Sequence, residues 1–277
     1  MSEPGAAIGL GILGGLVALD PVKRLLGPTA DYLGGELARF TERRMQTIAR
    51  ILQNATDKVA DRLDQPGAVP PRVLRDVIND GSWNEDQLSV EYFGGILASS
   101  RTPTSRDDRA ATFTAMLSRL STYQIRSHYI LYTAIRQAYL GTKSNLGQKA
   151  DRDKLEVVLP LPAYVKLLGL SDREIKDFQN ILEHVVFGLH REDLIGGCEY
   201  GHEYYVIELG DRLAFRGIYT VPSVQGCELY LRAHGALFSS ASEILKSNLK
   251  PGMRELGEIR FGPTDAFPLS KLKGWPN

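Results

Sequence analysis

Ser121-Thr-Tyr-Gln-Ile-Arg-Ser-His-Tyr-Ile-Leu-Tyr-Thr-Ala-Ile-Arg-Gln-Ala-Tyr-Leu-Gly141 is the stretch whose pattern sets the fold class. Ile125, Tyr129, Tyr132, Ile135 and Tyr139 recur every three or four residues, the spacing of one face of an α-helix. Ser121 is an N-cap residue with Gln124 at N3, and Leu120 before it can staple to Ile125 at N4. Gly141 supplies the stop. The tyrosines read as a core rim with hydrated hydroxyls, the usual use of an amphipathic ring.

The same device recurs on either side. Trp83 precedes Asn84 as N-cap, with Gln87 at N3 and Leu88 at N4, and Leu170 precedes Ser171, with Glu174 and Ile175 in those places. Helices are therefore expected over 84–99, with Leu88, Tyr92, Ile96 and Leu97 inward, and over 171–189, with Ile175, Phe178, Leu182 and Val185 inward. A further helix is expected over 105–120 around Phe113, Met116 and Leu117. Upstream, Pro28 opens a long helix that Gln65-Pro66-Gly67 closes. Along it Met45, Ile48, Leu52, Ala55, Val59 and Arg62 or Leu63 form a coiled-coil-like seam. Arg39, Arg43, Arg44 and Arg50 lie among acids there and read as a solvated face.

Beyond Thr142–Asp153, which is polar and aperiodic, the pattern changes. A strand is expected over 154–159 and a β-hairpin from 195–198 and 204–209 around Gly201. Helical pieces follow over 226–245, with a last strand at 259–261. The expected architecture is mainly α: an apolar Gly-rich segment (1–27), a helical bundle with the long coiled-coil-like helix (28–141), a linker (142–153) and a smaller α+β domain (154–277) of winged-helix-like order.

Composition bounds the function. The 277 residues are 43% hydrophobic and 24% charged, enough for a core without metals or disulfides. Lys plus Arg equals Asp plus Glu, which argues against whole-molecule binding to nucleic acid. The expected reading helix of a winged module carries Arg173 and Lys176, but also Asp172, Glu174, Asp177 and Glu183, a poor surface for phosphate. Only Cys198 and Cys227 are present, and the apolar run from Gly5 to Leu19 has just Glu3 charged ahead of it. Both features point to the reducing cytoplasm and not to secretion. That run falls short of the roughly 20 residues that span a bilayer. Its Gly5/Gly9 and Gly11/Gly15 spacing suits close helix contact, so it is expected to meet another helix, with membrane contact as the alternative.

Motifs that carry chemistry are sparse. Four of the five histidines and both cysteines fall between His184 and His234. Cys198, His202, Cys227 and His234 could hold zinc, but no Cys-x-x-Cys pair is present, and the expectation is that they do not share a metal. Cysteine–histidine catalysis lacks a third group. Gly9-x-Gly11-x-x-Gly14 matches a dinucleotide fingerprint without the strand that gives it meaning. Asp107-Asp108 and Glu192-Asp193 have no acid–base partner pattern. No catalytic, cofactor-binding or metal residue is assigned, and no cofactor is expected.

The run Asn84-Glu-Asp-Gln-Leu-Ser-Val-Glu-Tyr-Phe-Gly-Gly-Ile-Leu-Ala-Ser-Ser100, then Ser105-Arg-Asp-Asp-Arg109 and Phe113-x-x-Met-Leu-Ser-Arg-Leu-Ser121, resembles the core of the Abi-alpha type domain of unknown function. The likeness covers roughly residues 20–140 and the turn Gly188-Leu-His-Arg-Glu-Asp-Leu-Ile195. Gly94-Gly95 departs from it, where larger residues are expected. The resemblance implies a bacterial setting in abortive infection, a phage-defence strategy, and carries over no functional residue. The function expected from it is a non-enzymatic defence component. It would act by oligomerisation, membrane contact or a protein partner through its N-terminal helices. The alternative is a winged-helix nucleic-acid-binding or regulatory protein.

Overall fold

The computed structural model describes residues 29–103, 107–206, 214–249, 253–257, 259–262 and 265–273, with side chains from Glu42 onward. The expected helix over 5–19 lies outside the described residues. Helix dominates, and a small antiparallel sheet completes a mixed, mainly helical α+β fold.

Helix α1 (Thr29–Lys58) packs its C-terminal half on α3 (Gln87–Ser100), with α2 (Pro71–Gly81) beside them. Its buried row is Thr47, Ile51, Asn54 and Ala55, continued by Val59 just past its end. The expected seam is therefore rotated: Ala55 and Val59 face inward, whereas Met45 and Leu52 are 54% and 42% exposed. The rotation follows from α3, where Gly94 admits the α1 backbone: a methyl group there would stand 3.0 Å from the Ile51 carbonyl oxygen.

Helix α3 starts later than expected. Asp86 caps it, accepting from the Ser89 amide at 2.8 Å. Asn84 serves the preceding helix instead, its Nδ2 donating to the Asp80 carbonyl at 3.1 Å. Trp83, the expected staple, is 59% exposed, with the Arg44 guanidinium 4.4 Å over its ring. Helix α4 (Ala110–Leu117) is shorter than the expected 105–120, because Asp107 turns back to bind Arg109 through Nε and Nη2. Ser121 caps α5 (Thr122–Tyr139) in a full capping box with Gln124, as expected.

The segment 142–153, expected as a linker, holds the short helix α6 (Lys149–Arg152) and the fully buried Leu146. Strand β1 (Val157–Pro160) follows, then α7 (Leu161–Leu168), an element the periodicity did not announce. The expected helix over 171–189 is two helices, α8 (Asp172–Lys176) and α9 (Phe178–Arg191), with the break at Asp177. Ser171 caps α8 in a capping box with Glu174, again as expected.

Gly201 is not a hairpin turn. Strand β2 (Ile195–Val206) runs through it, with a register shift between Tyr200 and Glu203, and pairs with β3 (Ala214–Pro222). Helix α10 (Val224–Ala233) and a 3-10 turn (Ala241–Leu245) form the expected helical pieces. Residues 259–261 are not a strand, since Gln137 binds the Ile259 carbonyl and the Phe261 amide with its side chain. The short strands β4 (Phe267–Pro268) and β5 (Leu272–Lys273) complete the sheet, in the order β4-β1-β3-β2-β5.

Strand alternation divides the apolar residues between two layers. Val157, Leu159 and Ile218 face the helices, and Val158, Tyr219 and Val221 join Tyr204, Val206, Phe267 and Leu272 on the far side. The larger cluster is continuous from Ile51 to Ile259 and crosses residues 142–153. The expected helical and α+β parts thus share one core. Among the described residues no helix is long and apolar enough to cross a membrane.

Candidate functional site: a tyrosine–histidine column ending on a charged cavity

Helix α5 packs against α9, α10, α3 and α7, and four of its polar residues, Gln124, Ser127, His128 and Thr133, are as deeply buried as its apolar ones. His128 is fully buried between Tyr92 and Tyr132, with ring centroids 5.8 Å and 4.5 Å away. A carbonyl can only accept, so the 3.0 Å contact from Nε2 to the Gly226 carbonyl places the proton on Nε2. Nδ1 then accepts from the Tyr92 hydroxyl at 2.8 Å. Burial holds His128 neutral, with a pKa lowered to about 3.

The tyrosines carry the column onward. Tyr132 donates to the Leu194 carbonyl at 2.7 Å and accepts from the Ser223 amide at 3.0 Å. Tyr230 on α10 shares a hydrogen bond with Thr133 at 3.0 Å, and Tyr129 accepts from the Met253 amide at 3.0 Å. The hydroxyls expected to be hydrated are thus bonded to protein. Burial raises the Tyr92 and Tyr132 hydroxyls well above the ordinary tyrosine range, so none of these groups is prepared to lose a proton near neutrality.

His234 ends the column, 4.3 Å from the Tyr230 ring. It is the C-cap of α10, held by Gly235, whose φ of 72° is left-handed. The Gly235 amide bonds to the Arg232 carbonyl and the Ala236 amide to the Leu231 carbonyl, a Schellman turn. His234 Nδ1 donates to the Tyr230 carbonyl at 2.8 Å. Nε2 is therefore an unprotonated acceptor, and it is buried without a hydrogen-bond partner. Desolvation, with the Lys58 charge as the next cause, lowers its pKa to about 3.

Beside His234 lies a cavity of about 180 Å³. Lys58 and Asp61 line it from the end of α1, His234 and Gly235 from the end of α10, and Glu243 and Asn248 from the last turn. Arg62 crosses the wall, Nη2 donating to the carbonyls of Ala98 at 3.0 Å and Gly235 at 2.7 Å. Its Nε is buried without a partner. Lys58 reaches the Met253 sulfur at 3.7 Å, and burial lowers its pKa. Next to it the buried Glu91 accepts the backbone amides of Arg254 and Glu255 at 2.7 Å and 2.9 Å.

Two glycines make this geometry possible. A methyl group at Gly95 would lie 1.9 Å from the Ala233 carbonyl oxygen, and one at Gly226 2.0 Å from the Tyr132 hydroxyl. Gly94 and Gly95 therefore stand between two helices, α1 on one side and α10 on the other. That close approach accounts for glycine where larger residues were expected.

The residues weighed for metal binding go separate ways. Cys198 lies on β2, its thiol pushed up to about 12 by burial, and Cys227 is fully buried on α10. His202 sits 3.1 Å from Glu199 on the same strand. Among the described residues no three His, Cys, Asp or Glu side chains gather as metal ligands. Glu192 pairs with Arg119 at 2.7 Å, and Asp108 with Arg72 at 3.2 Å. Lys58, Glu91 and His128 are not singled out in the sequence, and Arg62 stands only at the end of the expected seam. A charged residue amid helical apolar spacing, as Glu91 is between Val90 and Tyr92, was the available clue. No family model matches the chain, and no curated protein or solved structure matches it either.

Proposed function

We propose that the protein acts by contact and not by catalysis. In this reading the outer row of α1 seats a second copy of the chain, and the assembly works in the bacterial cytoplasm as an anti-phage defence of the abortive-infection type. The observation that carries it is the pair Met45 and Leu52, one heptad apart and 54% and 42% exposed. They lie on helix α1, of which Thr47, Ile51, Asn54 and Ala55 on another row are buried. A long helix with one apolar stripe used and a second left open suits pairing with an identical helix. A two-fold dimer would bury the same stripe twice. The resemblance of residues 20–140 to the Abi-alpha type domain supplies the defence setting.

Light scattering on the full chain tests it. Wild type is expected above monomer mass and Met45→Glu with Leu52→Glu at monomer mass, with loss of protection in a phage plaque assay. A monomeric wild type sinks the reading. Deletion of residues 1–19 with a liposome flotation assay separates lipid contact from self-association.

A second reading is favoured by one topological observation. β1 pairs with β3, and α7, α8–α9, β2 and β3 follow in order, which resembles a winged-helix module with α9 as its reading helix. Phe187 on the outer face of α9 is 64% exposed, and beside Glu183 it suits a protein partner better than phosphate. Salt-sensitive binding to duplex DNA would favour nucleic acid over that assignment.

A further inference from the structure

We propose that Arg232 on α10 is a recognition site for a carboxylate, which its Nη groups take edge-on at the surface where α10 meets Phe113 of α4. The side chain is only 9% exposed, and arginine is almost never so buried unless it is paired. Among the described residues its guanidinium has no hydrogen-bond or ion-pair partner. Nε is buried, whereas the two Nη groups reach the surface. Two aromatic rings hold the group instead. Its central carbon lies 4.8 Å over Phe113 and 5.1 Å over Phe238, just beyond α10, both within cation–π reach. Burial there lowers its pKa by desolvation. The charge has lost water and gained no anion.

The neighbours leave this cation over. Asp107 and Arg109, just before α4, both act on its charge, but they are closed on each other. Arg109 Nε and Nη2 donate to the two Asp107 oxygens at 2.8 Å and 2.6 Å. The last carbonyls of α10 are also taken, by the Gly235 and Ala236 amides and by His234 Nδ1. Glu228, one turn earlier on α10, stands outside ion-pair distance. A fixed guanidinium offers two parallel N–H donors, and a carboxylate meets them with two oxygens in one plane. Glu228 and Asp107 oppose a doubly charged phosphate more than a singly charged carboxylate. The carboxylate belongs to a free acid or to an acidic side chain of a polypeptide, sources that share this chemistry.

The test is the arginine Nε–H spectrum of the nitrogen-labelled full chain at neutral pH. Acetate, inorganic phosphate and a blocked peptide with one internal glutamate are added separately, against chloride at matched ionic strength. The Arg232 signal should shift saturably with acetate, half-maximally at about 1 mM, the affinity that two charge-assisted hydrogen bonds supply. Tighter binding of the peptide names a polypeptide side chain as the source, and tighter binding of acetate a free acid. Arg232→Lys, followed through the α10 amides, should weaken acetate about ten-fold, since lysine lacks the fork. Glu228→Gln should tighten it about two-fold. Where a variant does not fold, the wild-type Arg232 signal decides alone. Four results overturn the proposal. One is no saturable shift at Arg232 with acetate or peptide. A shift that chloride reproduces is another, since screening alone would explain it. The third is phosphate binding more tightly than either carboxylate. The last is binding in Glu228→Gln but not in wild type, which would make Glu228 itself the partner of Arg232.

Discussion

A methyl group added at Gly95 would sit 1.9 Å from the Ala233 backbone oxygen, and one at Gly188 would sit 1.8 Å from Gln124 Nε2. The distances are nearly equal and the consequences are not. At Gly95 the obstacle is backbone, so α3 and α10 must part. At Gly188 it is the end of a flexible side chain that can swing aside, losing its 3.1 Å bond to the His184 carbonyl. Gly95→Ala is expected to cost about 3 kcal/mol or to prevent folding, and Gly188→Ala about 1 kcal/mol. Urea unfolding of the two variants checks the order, and a Gly95→Ala protein as stable as wild type would refute the close approach. Asp193 is a third such site, held left-handed with φ of 53° where α9 closes in a Schellman turn. Asp193→Gly should raise stability by about 1 kcal/mol. Little of this was legible beforehand. Gly94-Gly95 stood out as unusual, but which helix lay against each glycine depends on partners far away in the chain.

At the scale of elements, local chemistry was legible where it is self-contained. Ser121 with Gln124 and Ser171 with Glu174 are capping boxes that need no partner beyond their own turn. Asn84 misled because the cap pattern ignores what precedes it: its amide closes α2 while Asp86 opens α3. Asp86→Ala should therefore cost about 1 kcal/mol through the lost cap. Asn84→Ala should fray the end of α2 in amide exchange without shortening α3. If instead α3 loses protection at its start, the cap assignment is wrong. Strand β3 went unread because Gly217 and Pro222 break its apolar run. Its identity comes from pairing with β1 and β2, which no local pattern holds.

At the scale of the whole molecule, helices and sheet share one apolar core, and the two neutral histidines at its centre tie their charge state to stability. Each has a pKa lowered from 6.5 to about 3 by burial, whereas in the unfolded chain each regains an ordinary value near 6.5. Above that value neither state holds the proton, and the histidines do not make stability depend on pH. Between about 6.5 and 3 the unfolded state binds protons that the folded state refuses, so stability falls as pH falls. Each histidine is then expected to lose about 1.4 kcal/mol per pH unit, or about 2 kcal/mol between pH 7 and pH 5. The depressed carboxylates, Glu174 at about 2 and Asp107 at about 2, lose their contribution only at lower pH, which leaves the window from pH 7 to pH 5 to the imidazoles. Urea midpoints at pH 7, 6 and 5 should drop steadily. His234→Gln should flatten the slope by about half, because glutamine can occupy the site without a titrating proton. Should a variant fail to fold, the wild-type imidazole signals decide alone: His128 and His234 must hold constant shifts down to pH 5. Titration of either near its ordinary value would show that water reaches the column, and the pH dependence would vanish with it.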